Sequence, residues 1–492
     1  MKTEAAGSSG VPRWKWLEKI HLPFHVVMTT LVGIVVLLVA REYILLIRSY
    51  KYLIALLIIG VAAAAFLMIP RKFNFFLYGL GFTLPFFIQV ILMQRDRGIL
   101  SVTGTSLVIL GTTVVGLAMG YIGKPRVYLE PRITIPAALF LFACCLSFIA
   151  TTDLTLSIIT LIQEIEMLVL FLVLVNAVTD TKRLLMFLRG LIWGFVIECF
   201  IYYLQYLVGF SFDVLGNRKF DGATDFETGS VASPRGTWAA APATAALYFS
   251  LMTLMLTGIY LSRKKVAIGF KPILGMMLGI SCLILSTKRA AMAGFAIAVL
   301  VLLAMLPRHA PGAIRKLAIV LGSLAIPFLA CLPIFMLRAE ANHESAYEER
   351  ANLTKVAWNM YHSHPVIGVG FGTYDSVKRD YLPPGWTGWL YTVHTRYLLI
   401  LSETGAVGFT ALILLYLSIL VVAYKGIQKT APEYRPVQIT LFCCLISLYW
   451  EQAWDIFNSK QQGYLYWIVA SLAVIIPRVL SAEGHGESEL SA

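Results

Sequence analysis

The sequence predicts an all-α polytopic membrane protein of about 12–14 transmembrane helices, with a long extracytoplasmic loop carrying an amphipathic helix. Two observations lead there. Of the 492 residues, 58% are hydrophobic and only 14% are charged, against roughly 25% charge in an average soluble chain. The apolar residues also gather in unbroken blocks rather than on stripes or in alternation, and a spanning helix needs about 20 largely apolar residues in a row.

In chain order the blocks are 24–40, 52–70, 73–94, 100–122, 133–150, 156–178, 184–208, 240–262, 268–287, 290–307, 317–336, 405–424, 439–456 and 464–476, the last being short for a span. They divide the chain into a cytoplasmic N-terminus (1–23), a first membrane region (24–336), a large extracytoplasmic loop (337–404), a second membrane region (405–476) and a cytoplasmic tail (477–492). The first residues carry Lys2, Arg13, Lys15 and Lys19 but no apolar core followed by a small-residue cleavage site, so no cleaved signal peptide is expected.

Charge sets the orientation. The formal net charge is +13, and the basic residues sit in short connectors: Lys182 and Arg183, then Arg263 to Lys265, then Arg308, Arg315 and Lys316, then Lys425, Lys429 and Arg435. The alternate connectors are poorer in basic charge, which places the first set in the cytoplasm. Arg41, Arg48, Arg95 and Arg97 then fall outside, so the N-terminal third breaks the pattern. The arrangement points to a lipid bilayer and an anionic substrate, not to nucleic acid. The seven cysteines all lie in apolar blocks without CxxC spacing, so neither a disulfide framework nor a zinc site is indicated.

Two outer segments hold most of the polar chemistry: Gly209 to Arg235, and the longer Leu337 to Glu403. The second contains Ser345 to Tyr361, where Tyr347, Ala351, Val356, Ala357 and Met360 recur at helical spacing, as in a helix lying on a membrane surface. Cations at the outer ends of apolar blocks need a partner or a ligand. Arg235 in SPRGTW and the adjacent Lys288 and Arg289 in LILSTKRAAMAG fit that description. Snorkelling to lipid phosphate is the plain alternative; two arginine forks converging on one cavity would suit a pyrophosphate.

His394, in WLYTVHTRYLLILSETG, immediately precedes a run that re-enters the membrane. With an ordinary pKa of about 6.5, a histidine there can accept a proton near neutral pH; a headgroup-level surface histidine is the alternative. His362 and His364 form an HSH string, but no thiol or clustered carboxylate completes a metal set, so no metal and no cofactor is expected. Glu164, Glu166, Glu198, Glu451 and Asp455 lie within apolar blocks. They form either an ion path or partners that hold the cations in place. GVGFG (Gly368 to Gly372) lacks the strand-to-helix context of a phosphate loop.

Three strings together resemble the O-antigen ligase and polymerase superfamily of membrane glycosyltransferases. LSTKRAAMAGFAIAVL (Leu285 to Leu300) is similar to the family's arginine-bearing helix junction. RANLTKVAWNMYHSHPVIGVGFGTY (Arg350 to Tyr374) is similar to its amphipathic helix and glycine turn, and VHTRYLLILSETGAVGF (Val393 to Phe409) to its histidine helix, with Thr395 where an Asn is usual. SPRGTW is similar to an outer-loop segment of the family.

The resemblance implies a metal-independent transferase. It would move a glycan from an undecaprenyl-pyrophosphate carrier to lipid A core (ligase) or to a carrier-linked glycan (polymerase), with inversion, at the periplasmic face of the bacterial inner membrane. Carried over by position, His394 is the general base. Arg289, Arg235 and Lys288 bind the donor pyrophosphate. Arg350, Arg396, Tyr397 and Glu403 are contact or orienting residues, Glu403 capping or orienting a helix rather than acting as a second base. The competing reading is a transporter or lipid-linked glycan flippase, which would depend on Glu164 or Glu198 rather than on His394.

Overall fold

A computed structural model of the chain describes residues 73–86, 89–95, 98–118, 120–122, 127–208, 212–214, 218–220, 236–237, 242–339, 345–386, 390–457 and 459–481. The expected blocks 24–40 and 52–70, the N-terminus 1–23 and Arg235 lie outside these residues. The helices in chain order are α1 (Phe73–Thr83), α2 (Gly104–Ala118), α3 (Pro131–Leu146), α4 (Leu154–Ala177), α5 (Thr181–Val208), α6 (Pro242–Leu261), α7 (Pro272–Leu285), α8 (Arg289–His309), α9 (Ile314–Ala339), α10 (Ser345–Ser363), α11 (Tyr374–Val377), α12 (Arg396–Lys429), α13 (Arg435–Glu451) and α14 (Lys460–Val479). Among the described residues, 8 helices are long and apolar enough to cross a membrane. The chain is a multi-pass, all-α membrane protein.

Burial sorts the spans into an inner and an outer set. The window in α6 is 94% buried and that in α14 is 89% buried, whereas the window over Pro311–Pro333 is 17% buried. A helix apolar all round and covered on every side is a central one, so α6 and α14 form the middle of the bundle. In α6 the hydroxyls of Thr253 and Thr257 donate to the carbonyls of Phe249 and Thr253, at 2.7 and 2.8 Å, so its polar groups are met inside the helix. Side chains cap several of the helix starts, two of them close to the site. Asp153 accepts from Leu156 N at the head of α4, and Ser459 with Gln462 makes a capping box on α14. Caps of this type stabilise a helix by about 1 kcal/mol.

Residues 73–94 and 100–122, expected as two long helical blocks, fold differently in their middle. Strand β1 (Gln89–Arg95) pairs antiparallel with β2 (Gly98–Thr103), between the shorter α1 and α2. The polar run Gln94 to Arg97 interrupts the apolar pattern, and the β-branched Val90, Ile91, Ile99 and Val102 suit strands; short apolar runs do not separate strand from helix by periodicity. A second hairpin joins β3 (Phe212–Val214) to β4 (Arg218–Phe220).

Candidate active site

The first part of the site is the junction of α7 and α8. Ser286 ends α7, Lys288 stands at the N-cap of α8 and Arg289 is its first residue, exposed. No side chain caps α8, so the helix opens with backbone N–H groups and a cation together, which is anion-binding chemistry. Thr287 is held at φ 54, in the left-handed region that non-glycine residues avoid at a cost of about 1–2 kcal/mol. Its hydroxyl donates to Ser286 O at 2.7 Å, and Lys288 N donates to Ser286 Oγ at 3.3 Å, a local lock on the strained turn.

The second part is the segment that carries His394. His394 is half-buried at a bend just before α12, and its neighbours on both sides are fixed. The Thr392 hydroxyl donates to the Asp375 carboxylate (2.8 and 2.9 Å to its two oxygens), which also takes Lys378 Nζ at 2.6 Å. Val393 is buried in a cluster with Val356, Ala357 and Met360 of α10, and with Val369, Tyr374, Val377 and Leu399. Arg396 N donates to Gln452 O (2.8 Å) and Asp455 O (3.1 Å), and its guanidinium pairs with Glu164 at 2.5 Å. The Tyr397 hydroxyl donates to Tyr449 O at 2.9 Å.

The helix expected on the membrane surface therefore does something else. The apolar face of α10 covers the loop's own core: Leu353, Val356, Ala357 and Met360 are buried, whereas Ala351 is exposed. A loop with a cluster this size needs a lid, and α10 supplies it. Burial pushes the Tyr374 phenol well above its usual range, with the Asp375 and Glu403 charges adding to the effect. Tyr374 is thus a neutral core hydroxyl.

Below this core, α12 breaks at Gly405 (φ 62, ψ −164), and the glycine turn fills the break. Val369 N and Gly370 N donate to Ser402 O (3.0 Å) and Glu403 O (2.9 Å), while Ala406 N and Val407 N donate to Pro365 O (2.9 Å) and Val366 O (3.2 Å). The helical hydrogen bonds lost at the break are replaced by the loop, as buried backbone requires. Glu403, buried, accepts from Tyr374 N at 3.1 Å and so holds the head of α11. A Cβ at Gly405 would overlap the Val366 carbonyl. Gly405→Ala is accordingly expected to cost about 1–3 kcal/mol, read as a lower midpoint of thermal unfolding in detergent. Gly322→Ala, where a Cβ meets open space, is the unchanged control.

Of the carboxylates within the apolar blocks, Glu164 pairs with Arg396. Glu166 pairs with Lys460 at 2.6 Å and accepts from the Tyr464 hydroxyl. Glu198 accepts from Thr237 N (2.8 Å) and from the Thr237 hydroxyl (2.7 Å), and seven residues on, Gln205 exchanges two hydrogen bonds with Gly236, at 2.8 and 2.9 Å. Positions seven apart share one face of α5, and that face holds the residues directly after Arg235. Sequence reasoning flagged Glu198 but not this task; the spacing of two buried polar residues on an apolar helix was the available signal. Glu198→Ala is expected to free Gly236 and Thr237 and lower any activity that depends on Arg235 at least tenfold, with Glu198→Gln retaining most of it. Membrane insertion of both variants, checked by fractionation, should match the parent.

The structure thus joins His394, Arg396, Tyr397 and Glu403 in one braced unit, and Lys288 and Arg289 at a helix head. Arg396, Tyr397 and Glu403 are engaged by Glu164, Tyr449 and Tyr374 respectively. Arg350 is exposed on α10. Among the described residues, no group of three or more His, Cys, Asp or Glu is placed to hold a metal ion. The two parts are linked through α13, since Gly294, five residues into α8, packs against Ser447 and Trp450, while Gln452 and Asp455 take the Arg396 amide.

No curated protein matches the chain. A family profile described as O-antigen ligase matches residues 274–413. That stretch runs from α7 to the first turns of α12 beyond the break and contains Lys288, Arg289, Arg350, His394, Arg396, Tyr397 and Glu403. Over residues 274–413, the chain is similar to the O-antigen ligase family.

Proposed function

We propose that the protein is an inverting glycosyltransferase that moves a glycan from an undecaprenyl-pyrophosphate carrier to an acceptor hydroxyl, either of lipid A core or of a second carrier-linked glycan. The observation that carries this reading is the content of the family-matched stretch: a cation pair at an uncapped helix head and a histidine on a braced turn, both at ends of apolar helices. In the proposed reaction His394 takes the proton of the acceptor hydroxyl, whose oxygen attacks the anomeric carbon. The bond from that carbon to the phosphate oxygen breaks, and the pyrophosphate leaves on its carrier. Arg289, Lys288 and the N–H groups of α8, with Arg235, meet the charge that builds on the leaving group. The site works at the periplasmic face of the inner membrane, with the loop 337–404 outside and both termini in the cytoplasm.

The transporter reading loses its main support, because Glu164, Glu166 and Glu198 are engaged by Arg396, Lys460 and Thr237. The test is reconstitution of the purified protein in lipid with an undecaprenyl-pyrophosphate oligosaccharide, with and without lipid A core, and sizing of the products. A ladder without core identifies a polymerase, and a single core-dependent shift identifies a ligase. No product with either acceptor overturns the reading.

A further inference from the structure

The loop that carries His394 folds around an apolar core that includes Val356, Met360, Val369, Val377 and Val393, yet an ion pair lies within the same fold, mostly out of solvent. Asp375 and Lys378 meet at 2.6 Å, with side chains 19% and 5% exposed. A pair taken out of water in this way adds little stability over apolar side chains of similar volume, so its presence here calls for another reason. What else the carboxylate holds supplies one. The Thr392 hydroxyl, on a residue 6% exposed, donates to both Asp375 oxygens, and Thr392 stands two residues before His394.

The neighbours of His394 on its own segment do not fix its direction. Thr395, the N-cap of α12, makes no side-chain cap. Val393 is held by apolar packing, which has no preferred direction. A hydrogen bond from a hydroxyl to a carboxylate is directional and charge-assisted. The carboxylate is itself registered to α12, because Glu403 accepts from the backbone N–H of Tyr374, the residue before Asp375. The short helix α11 is thus an arm that rests on α12 through Tyr374 and reaches the segment ahead of His394 through Asp375. Beyond the turn, the Arg396 amide is taken by Gln452 O and Asp455 O, so the imidazole stands between two fixed ends.

Position is what a general base needs most. It must come within about 2.6–3.2 Å of the proton it takes, and a misplacement of roughly 1 Å can lower the rate about a hundredfold. We propose that Asp375, held by Lys378 and acting through Thr392, is a positioning residue for His394. The inference rests on the glycosyl-transfer reading and adds to it the group that sets where the base stands.

The test reads His394 with and without the reaction. Thr392→Val keeps the shape, removes the hydroxyl and leaves Asp375 with Lys378, whereas Thr392→Ser gives the hydroxyl back. Asp375→Ala combined with Lys378→Met removes the acceptor without burying a lone cation. In the full chain in lipid nanodiscs, diethyl pyrocarbonate acylates histidines at rates that peptide mass spectrometry resolves one by one. The His394 rate is expected to change severalfold in Thr392→Val and in the double variant and to return in Thr392→Ser. His362 and His364, both exposed, should react as in the parent. In transfer assays Thr392→Val is expected to lower kcat about tenfold or more with KM nearly unchanged. In a His394→Ala background the same change should lower it no further, because losses that act through one group do not add. An unaltered His394 rate in both variants, or a kcat loss that adds in full to that of His394→Ala, overturns the positioning role. A His394 rate that depends on Thr392 and Asp375 in a protein that yields no transfer product upholds the positioning and removes the reaction assigned to it.

Discussion

His394→Ala is expected to lower glycan transfer by about 10²- to 10⁴-fold, the range a positioned general base contributes, while the protein inserts and unfolds as the parent does. The structural grounds are specific. Thr392, Val393, Arg396 and Tyr397 each have a partner outside their own segment, in Asp375, the α10 cluster, Glu164 and Tyr449 respectively. The turn is held by its neighbours, so removing the imidazole leaves the scaffold in place. Transfer assays on purified His394→Ala in lipid, beside a thermal unfolding curve, check both halves. Activity within a few-fold of the parent would remove the base from the mechanism; a collapsed unfolding midpoint would show that His394 is structural.

Arg289→Ala is the second large effect, an expected loss of about 10²- to 10³-fold in kcat, by analogy with the removal of one charge-stabilising donor from an oxyanion site. The uncapped N–H groups at the head of α8 remain, so some anion affinity should survive. Arg289→Lys restores a point charge but not the planar fork, and is expected to fall between the two. The same series measured for inhibition by inorganic pyrophosphate should follow the same order. A loss confined to KM for the acceptor would instead mean that Arg289 binds the wrong end of the reaction for the role given to it.

Much of this protein is written locally. Runs such as Leu154–Ala177 and Arg289–His309 announce spans through hydropathy alone, and STKR and VHTR stand out because cations and a histidine interrupt such runs. What is not legible is pairing across the chain. Glu164 and Glu166 were equally consistent with an ion path, because the sequence does not say that Arg396 and Lys460 arrive beside them from the far end. The hairpin Gln89–Thr103 was hidden by residues that serve strand and helix alike. The apolar stripe of α10 was visible, but whether it met lipid or protein depended on a core assembled from Val369, Val377 and Val393. The break at Gly405 was invisible for a related reason: a glycine within an apolar run is ordinary, and only the docked turn 365–370 makes its positive φ necessary.

The ion pairs of α4 also constrain how the chain is made. Glu164 and Arg396 are 232 residues apart, and Glu166 and Lys460 are 294 apart. At roughly 5–20 residues per second, the ribosome delivers the cations about 10–60 s after the carboxylates. In that interval α4 has left the ribosome with two acidic side chains whose partners do not yet exist. Its final seating in the bilayer is therefore a late event, completed only when α12 and then α14 arrive. Chains that stop short of Lys460 lack the cation that Glu166 pairs with in the finished protein.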